Sequence, residues 1–149
     1  MRSFRHSFLV EAEISKVWDF YTDIKHLEVI TPPELDLRVL NSTGPALAEG
    51  SEVWITGKLV TRSNWHSKIT SMKPYEYVDE MITGRFKVWR HAHKFRAAGD
   101  KRTEVIDEID FELHYGFIGK MFEGYVLKRL EKTFAHRKMA TKKKFEKTR

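Results

Sequence analysis

Two histidines and two carboxylates are the side chains of this sequence best suited to chemistry. His91 and His93 stand two residues apart, with Glu80 before them and Asp107 after them. An imidazole changes charge near neutral pH and can bind metals, and a neighbouring carboxylate can orient the ring or stabilise its protonated form. These four residues are therefore our candidates for a catalytic pair, a metal site or a buried polar network.

The four side chains share a face only if the chain around them forms antiparallel hairpins. Residues 75–83, 86–97 and 102–113 alternate as strands do, with turn residues between them. A tight turn near residue 99 would pair His91 with Asp107, and a turn near residue 84 would bring Glu80 to the same face. The other side chains predicted for this concave face are apolar: Trp65, Ile69, Val78, Ile82, Trp89, Phe95, Val105, Ile109 and Phe111.

Three interpretations of the cluster are open at this point. Buried charges are costly unless they pair, so the first is a polar network of His91 with Asp107 and His93 with Glu80 that orients a ligand. The second is a metal site of two histidines and one carboxylate. The third is catalysis, with His91 as a general base oriented by Asp107. We expect the network, with no resident metal and no cofactor.

Periodicity predicts the elements that position this cluster. Helical spacing of apolar residues predicts one or two short helices within 15–30, ended by Thr31-Pro32-Pro33. A long C-terminal helix follows Gly119, because Phe122, Val126, Leu130 and Phe134 recur every four residues. Strand-like alternation occupies seven runs: 3–12, 35–41, 52–60, 64–72, 75–83, 86–97 and 102–113.

The net charge of +6 lies at the C-terminal end. From residue 137 onward one acidic residue, Glu146, stands among seven basic ones: Arg137, Lys138, Lys142, Lys143, Lys144, Lys147 and Arg149. The apolar stripe thins there, so we expect this tail to project into solvent or fray. It could make a weak contact with an anionic surface, whereas the remaining chain is neutral and predicts no specific nucleic-acid face.

Composition excludes several other classes of protein. The chain has 149 residues and no cysteine, which fits one domain over 1–149 and excludes disulfides and thiolate metal sites. No apolar run approaches the length of a transmembrane segment. We expect a cytoplasmic protein.

Short segments spread over nearly the whole chain carry a family resemblance: His6-Ser-Phe8, Val17-Trp-Asp-Phe20, Ile30-Thr-Pro-Pro33, Trp65 with Ile69, Val78-Asp-Glu80, Gly84-Arg-Phe86, Trp89 to Phe95 and Thr103 to Asp107. They resemble the START/Bet v1-like (SRPBCC) superfamily, in its polyketide cyclase/dehydrase-like ligand-binding branch. The resemblance implies an α+β helix-grip fold. In that fold a seven-stranded curved antiparallel sheet surrounds a long C-terminal helix, and two short helices follow strand 1.

The resemblance also implies a function. We expect a small hydrophobic molecule, lipid-, polyketide- or aromatic-like, to bind in a cavity between the sheet and the last helix. The alternative is a cyclase/dehydratase-type enzyme that uses the His/Asp/Glu cluster as acid and base. The predicted lining residues are Leu27, Ile30, Gly57, Trp65, Ser67, Ile69, Val78, Glu80, Trp89, His91, His93, Asp107, Ile109, Phe122, Val126 and Leu130.

Overall fold

The structure is a computed structural model that describes residues 1–58 and 61–146. Seven strands are present in this part of the chain: β1 (Arg2–Val10), β2 (Arg38–Ser42), β3 (Glu52–Lys58), β4 (Arg62–Lys73), β5 (Glu76–Thr83), β6 (Phe86–Ala97) and β7 (Thr103–Leu113). The helices are α1 (Ile14–Thr22), α2 (Gly116–Met121) and α3 (Glu123–Phe145), with short 3-10 turns at Ile24–His26 and Pro33–Leu35. No described helix is both long and apolar enough to cross a membrane.

All seven strands form one antiparallel sheet in the order β1-β7-β6-β5-β4-β3-β2. Consecutive strands from β2 to β7 are neighbours in the sheet, and β1 completes it beside β7. The sheet curves around α3, whose inner side packs against the concave face. This arrangement confirms the predicted helix-grip fold.

Two predicted strands have different limits in the structure. The run 35–41 becomes a strand at Arg38, because Pro33–Leu35 forms a 3-10 turn and Asp36 follows with a left-handed φ of 42°. The run 52–60 is a strand through Lys58, and its last two positions lie outside the described residues.

The β6–β7 register differs from the predicted one by two residues. Ala98 donates its backbone N–H to the Arg102 carbonyl oxygen, so the connecting loop is longer than the tight turn that we expected. His93 therefore pairs with Asp107, and His91 pairs with Ile109. A shift of two residues keeps every side chain on its predicted face, so His91, His93 and Asp107 still share the inner face.

The β5–β6 register differs by one residue, which has the opposite consequence. Asp79 pairs with His91, whereas Glu80 pairs with Arg90. Because side chains alternate between the two faces, a shift of one residue moves Glu80 to the outer face and Asp79 to the inner one. The prediction of Glu80 in the cluster is wrong, and Asp79 takes its place.

The expectation of a frayed basic tail is also wrong for the described residues. Helix α3 continues to Phe145, and Arg137 and Thr141 are buried on its inner side. The hydroxyl groups of Thr141 and Tyr21 lie 2.5 Å apart, and the Phe145 ring packs edge-on against Phe20 at 5.4 Å. Polar residues on the inner side have buried partners here, so a thinning apolar stripe did not mark the end of the packed helix.

Candidate functional site

A cavity of about 300 Å³ lies between the concave face of the sheet and the inner side of α3. Most of its wall is apolar, with contributions from β3, β4, α3 and the segment between α1 and β2. Leu35, Leu37 and Ile55 form part of that wall, although the sequence patterns did not single them out. Such a space suits the apolar body of a small molecule.

Most of the predicted lining residues lie on this surface: Leu27, Ile30, Gly57, Trp65, Ser67, Ile69, Trp89, His91, His93, Val126 and Leu130.

Five other predicted residues do not line the cavity. Val78 and Glu80 are excluded by the β5–β6 register, which places them on the outer face. Asp107 and Ile109 are on the inner face but are each only 1% exposed and lie outside the cavity wall. Phe122 is 57% exposed between α2 and α3.

The polar part of the cavity is a connected cluster of four ionisable side chains. The His91 Nε2–H donates to Asp107 Oδ1 at 2.8 Å, and the His93 Nε2–H donates to Asp79 Oδ2 at 2.5 Å. The two imidazole rings stack with their centroids 3.6 Å apart, which the i, i+2 spacing on β6 permits. Each ring thus points its Nε2 at a carboxylate from a different neighbouring strand.

Arg137 of α3 joins the cluster from the helix side. Its Nη1 donates to Asp107 Oδ1 at 3.1 Å, and its guanidinium lies 4.6 Å from the centroid of the Phe134 ring. The thinning apolar stripe predicts a solvated Arg137, whereas the structure buries it. Its spacing of seven from Leu130 places it on the same inner stripe of the helix, and that spacing is the signal that could have found it.

These contacts determine which groups carry charge. Burial alone would raise the pKa of Asp107, but the Arg137 guanidinium and the His91 hydrogen bond outweigh it and hold that pKa well below its usual range. Burial likewise opposes ionisation of Asp79, yet the hydrogen bond and charge of His93 lower its pKa. Burial and the neighbouring His91 lower the pKa of His93 to about 4. At neutral pH both carboxylates are therefore ionised and His93 is neutral.

The neutral His93 has one nitrogen left for a ligand. Its Nε2–H donates to Asp79, so its Nδ1 holds a lone pair. Asp107 Oδ1 lies 3.5 Å from this Nδ1, which has no hydrogen-bond partner among the described residues. The Arg137 Nε–H is a buried donor that also lacks a partner in the described part of the chain. His93 and Arg137 both line the cavity. The cluster therefore holds an unpaired donor at Arg137 Nε and unpaired acceptors at His93 Nδ1 and Asp107 Oδ2, all three buried beside the cavity.

The geometry of these side chains can be compared with what a metal site and a general base require. Asp79, His91 and His93 each offer one ligand atom, and all of these atoms lie within 4.8 Å of one another. In the structure, His93 and Asp79 are joined to each other by a hydrogen bond. For proton transfer, His91 lines the cavity and is held by Asp107, which is the arrangement of an oriented general base.

Comparison with known proteins supports the architecture. A family model described as "Polyketide cyclase / dehydrase and lipid transport" matches residues 10–138. The crystal structure of a protein from Thermus thermophilus aligns with a TM-score of 0.76 at 14% identity, over 95% of each chain. A START superfamily protein from Mycobacterium smegmatis aligns with a TM-score of 0.75 at 13% identity, over 97% of each chain.

A third similar structure is norcoclaurine synthase from Thalictrum flavum in complex with dopamine and hydroxybenzaldehyde. It aligns with a TM-score of 0.72 at 14% identity, over 99% of this chain and 88% of that one. No curated protein sequence matches the chain significantly. Structural likeness at such identities shows the fold, whereas the family model extends over most of the sequence. The chain therefore belongs to the family of polyketide cyclases/dehydrases and lipid-transport proteins.

Proposed function

We propose that this protein binds a small, predominantly apolar molecule between its sheet and α3. The observation that carries the proposal is the cavity of about 300 Å³, whose wall is mostly apolar and whose polar lining includes Asp79, His91, His93 and Arg137. Small-molecule sites commonly have this volume and this combination of apolar wall and few polar groups. The ligand would be lipid-, polyketide- or aromatic-like.

The cluster orients the polar end of that ligand. A hydroxyl group would donate to His93 Nδ1, and a hydroxyl or carbonyl oxygen would accept from Arg137 Nε, which are two of the three buried cluster atoms without a partner among the described residues. Leaving such atoms unpaired is unfavourable, so a ligand that satisfies them binds more tightly than a hydrocarbon of the same size. The family description, which includes lipid transport, supports a ligand of this kind.

Displacement of an apolar fluorophore tests the proposal. The folded protein should bind the fluorophore with a Kd in the micromolar range, about −8 kcal/mol. Ser67→Leu should weaken binding at least tenfold, because Ser67 lines the cavity and a larger side chain there fills it. Ser7→Leu adds the same side chain at an exposed position of β1 and should leave binding unchanged. Equal binding by both variants, or no binding by the unmodified protein, would exclude the cavity as the site.

We also propose a second function, acid–base catalysis of the cyclase/dehydratase type, because of one specific observation. His91 lines the cavity while Asp107 accepts its Nε2–H and Arg137 holds Asp107 in place. A ring fixed in this way presents its other nitrogen, Nδ1, as a base. The similar fold of norcoclaurine synthase shows that an enzyme can be built on this architecture.

Proton exchange distinguishes the catalyst from the carrier. A general base next to a bound ketone would catalyse exchange of the ketone's α-protons for deuterium. NMR detects this exchange when acetophenone is the ketone and heavy water is the solvent. Exchange faster than in buffer and lost in His91→Gln, with acetophenone binding retained, supports catalysis. Binding without faster exchange supports the carrier alone.

A further inference from the structure

The inner side of α3 carries a second arginine besides the one in the cluster. The residues of this helix that line the cavity recur at helical spacing: Tyr125, Val126, Arg129, Leu130, Thr133, Phe134 and Arg137. Arg129 is half-buried at a position of the stripe where an apolar side chain would pack against the wall. It precedes Arg137 by two turns, about 12 Å along the axis, so it forms a separate polar point.

Arg129 differs from Arg137 in having no acidic partner in the described part of the chain. The Arg137 guanidinium pairs with Asp107 at 3.1 Å, whereas no ion pair joins Arg129 to any described residue. The Arg129 Nε is buried and lacks a hydrogen-bond partner among those residues. Its backbone carbonyl accepts from the Thr133 hydroxyl, a bond that does not involve the guanidinium.

The acidic residues that line the cavity are already engaged elsewhere. Asp79 accepts from His93 at 2.5 Å, and Asp23 lies 3.3 Å from the Lys25 ammonium. The other cationic side chain in the wall apart from Arg137 is Lys58, which adds positive charge. Residues 1–58 and 61–146 therefore supply no counter-ion for Arg129, and a half-buried cation without one is unfavourable.

We propose that the ligand is an apolar carboxylic acid whose carboxylate pairs with Arg129. A guanidinium donates two parallel hydrogen bonds to a carboxylate, and in a partly desolvated site such a pair is stronger than one between neutral groups. The apolar body of the ligand then lies against the cavity wall, and a second polar group at its other end would meet the cluster of His93 and Arg137, about 12 Å away along the helix axis. This inference rests on the proposed binding function and narrows the ligand to one chemical class.

Two probes of equal chain length separate the charge from the apolar body. Binding of decanoate and of decan-1-ol is measured by fluorophore displacement at pH 8, where the free carboxylic acid is ionised. Arg129→Met removes the charge and keeps an unbranched apolar side chain. Lys128→Met removes the same charge from the neighbouring exposed position and serves as the matched control.

The unmodified protein should bind decanoate at least tenfold more tightly than decan-1-ol. Arg129→Met should weaken decanoate binding at least tenfold and leave decan-1-ol binding unchanged, whereas Lys128→Met should alter neither. The thermal midpoint of the ligand-free Arg129→Met protein should not fall, because an unpaired cation has been replaced by an apolar group. Arg129→Lys, which keeps the charge, should retain most of the preference for decanoate and excludes loss of folding as the cause.

Each contrary outcome identifies what has failed. Equal binding of both probes by the unmodified protein, or equal weakening of both by Arg129→Met, overturns the assignment of Arg129 while the cavity remains a binding site. Failure of both probes and of the fluorophore to bind the folded protein overturns the proposed function and this inference with it.

Discussion

Replacing Asp107 by asparagine should destabilise the protein mainly because Arg137 is then buried without its counter-ion. Asp107 is 1% exposed, accepts from His91 at 2.8 Å and accepts from Arg137 at 3.1 Å. Asparagine has nearly the same shape and one oxygen, but it lacks the charge that offsets the buried guanidinium. Breaking one partner of a buried ion pair costs about 3–5 kcal/mol, and the retained oxygen places Asp107→Asn near the lower limit, about 3 kcal/mol.

A double-mutant cycle measures this coupling. Arg137→Met removes the stranded charge, so Asp107→Asn should cost at least about 2 kcal/mol less in that background than in the unmodified protein. Urea unfolding at pH 7.5 gives the four free energies of unfolding. Asp110→Asn, on the same strand but on the opposite face, is the matched control and should cost less than about 1 kcal/mol. Strictly additive effects of Asp107→Asn and Arg137→Met would show that the two side chains do not stabilise each other.

Four further outcomes are expected. The pKa of His93 is lowered to about 4 from its usual 6.5, so on acidification this residue is protonated at a higher pH in the unfolded chain than in the folded protein. About 2 kcal/mol of the free energy of unfolding should therefore be lost from pH 7 to pH 5. Urea unfolding at both pH values checks this, and the same loss of stability in His93→Gln would contradict it. Deleting the chain from Thr141 should lower the thermal midpoint, because Thr141 is fully buried against Tyr21; a melt identical to that of the full chain would contradict that packing. Elemental analysis should find no stoichiometric zinc or iron in the purified protein, and one ion per chain would instead support the two-histidine metal site. Weak, salt-sensitive sedimentation with anionic vesicles should disappear, without a change in melting, when three exposed lysines are replaced by glutamine: Lys138, Lys143 and Lys144.

Much of the fold could be predicted because it depends on local chemistry. Alternation marks the strands, and turn residues between them imply antiparallel neighbours, as the sheet order shows. The two histidines could be placed on the inner face by the same alternation, since i and i+2 always share a side. The preference of α3 for the core could be predicted from Leu130 and Phe134, which are both buried.

The acidic partner of His93 could not be predicted, because one residue of register decides it. Asp79 and Glu80 are adjacent, and either could have faced inward until the β5–β6 pairing placed Asp79 opposite His91. That pairing depends on how the turn at residues 84–85 closes and on packing across the sheet, which alternation does not report. Alternation therefore predicted correctly that β5 contributes an acidic residue, but it predicted Glu80 where the structure has Asp79.

The seven strands, the long last helix and the histidine pair could be predicted from local pattern, because turn chemistry and side-chain periodicity act over a few residues. The packing of α3 shows in addition that Arg137 neutralises Asp107 and that Arg129 lines the cavity without such a partner among the described residues. These facts join residues that are tens of positions apart and depend on how α3 docks into the curved sheet. The physical reason is that a charge on a helix is solvated or buried according to what the opposite surface presents, and no local pattern contains that surface.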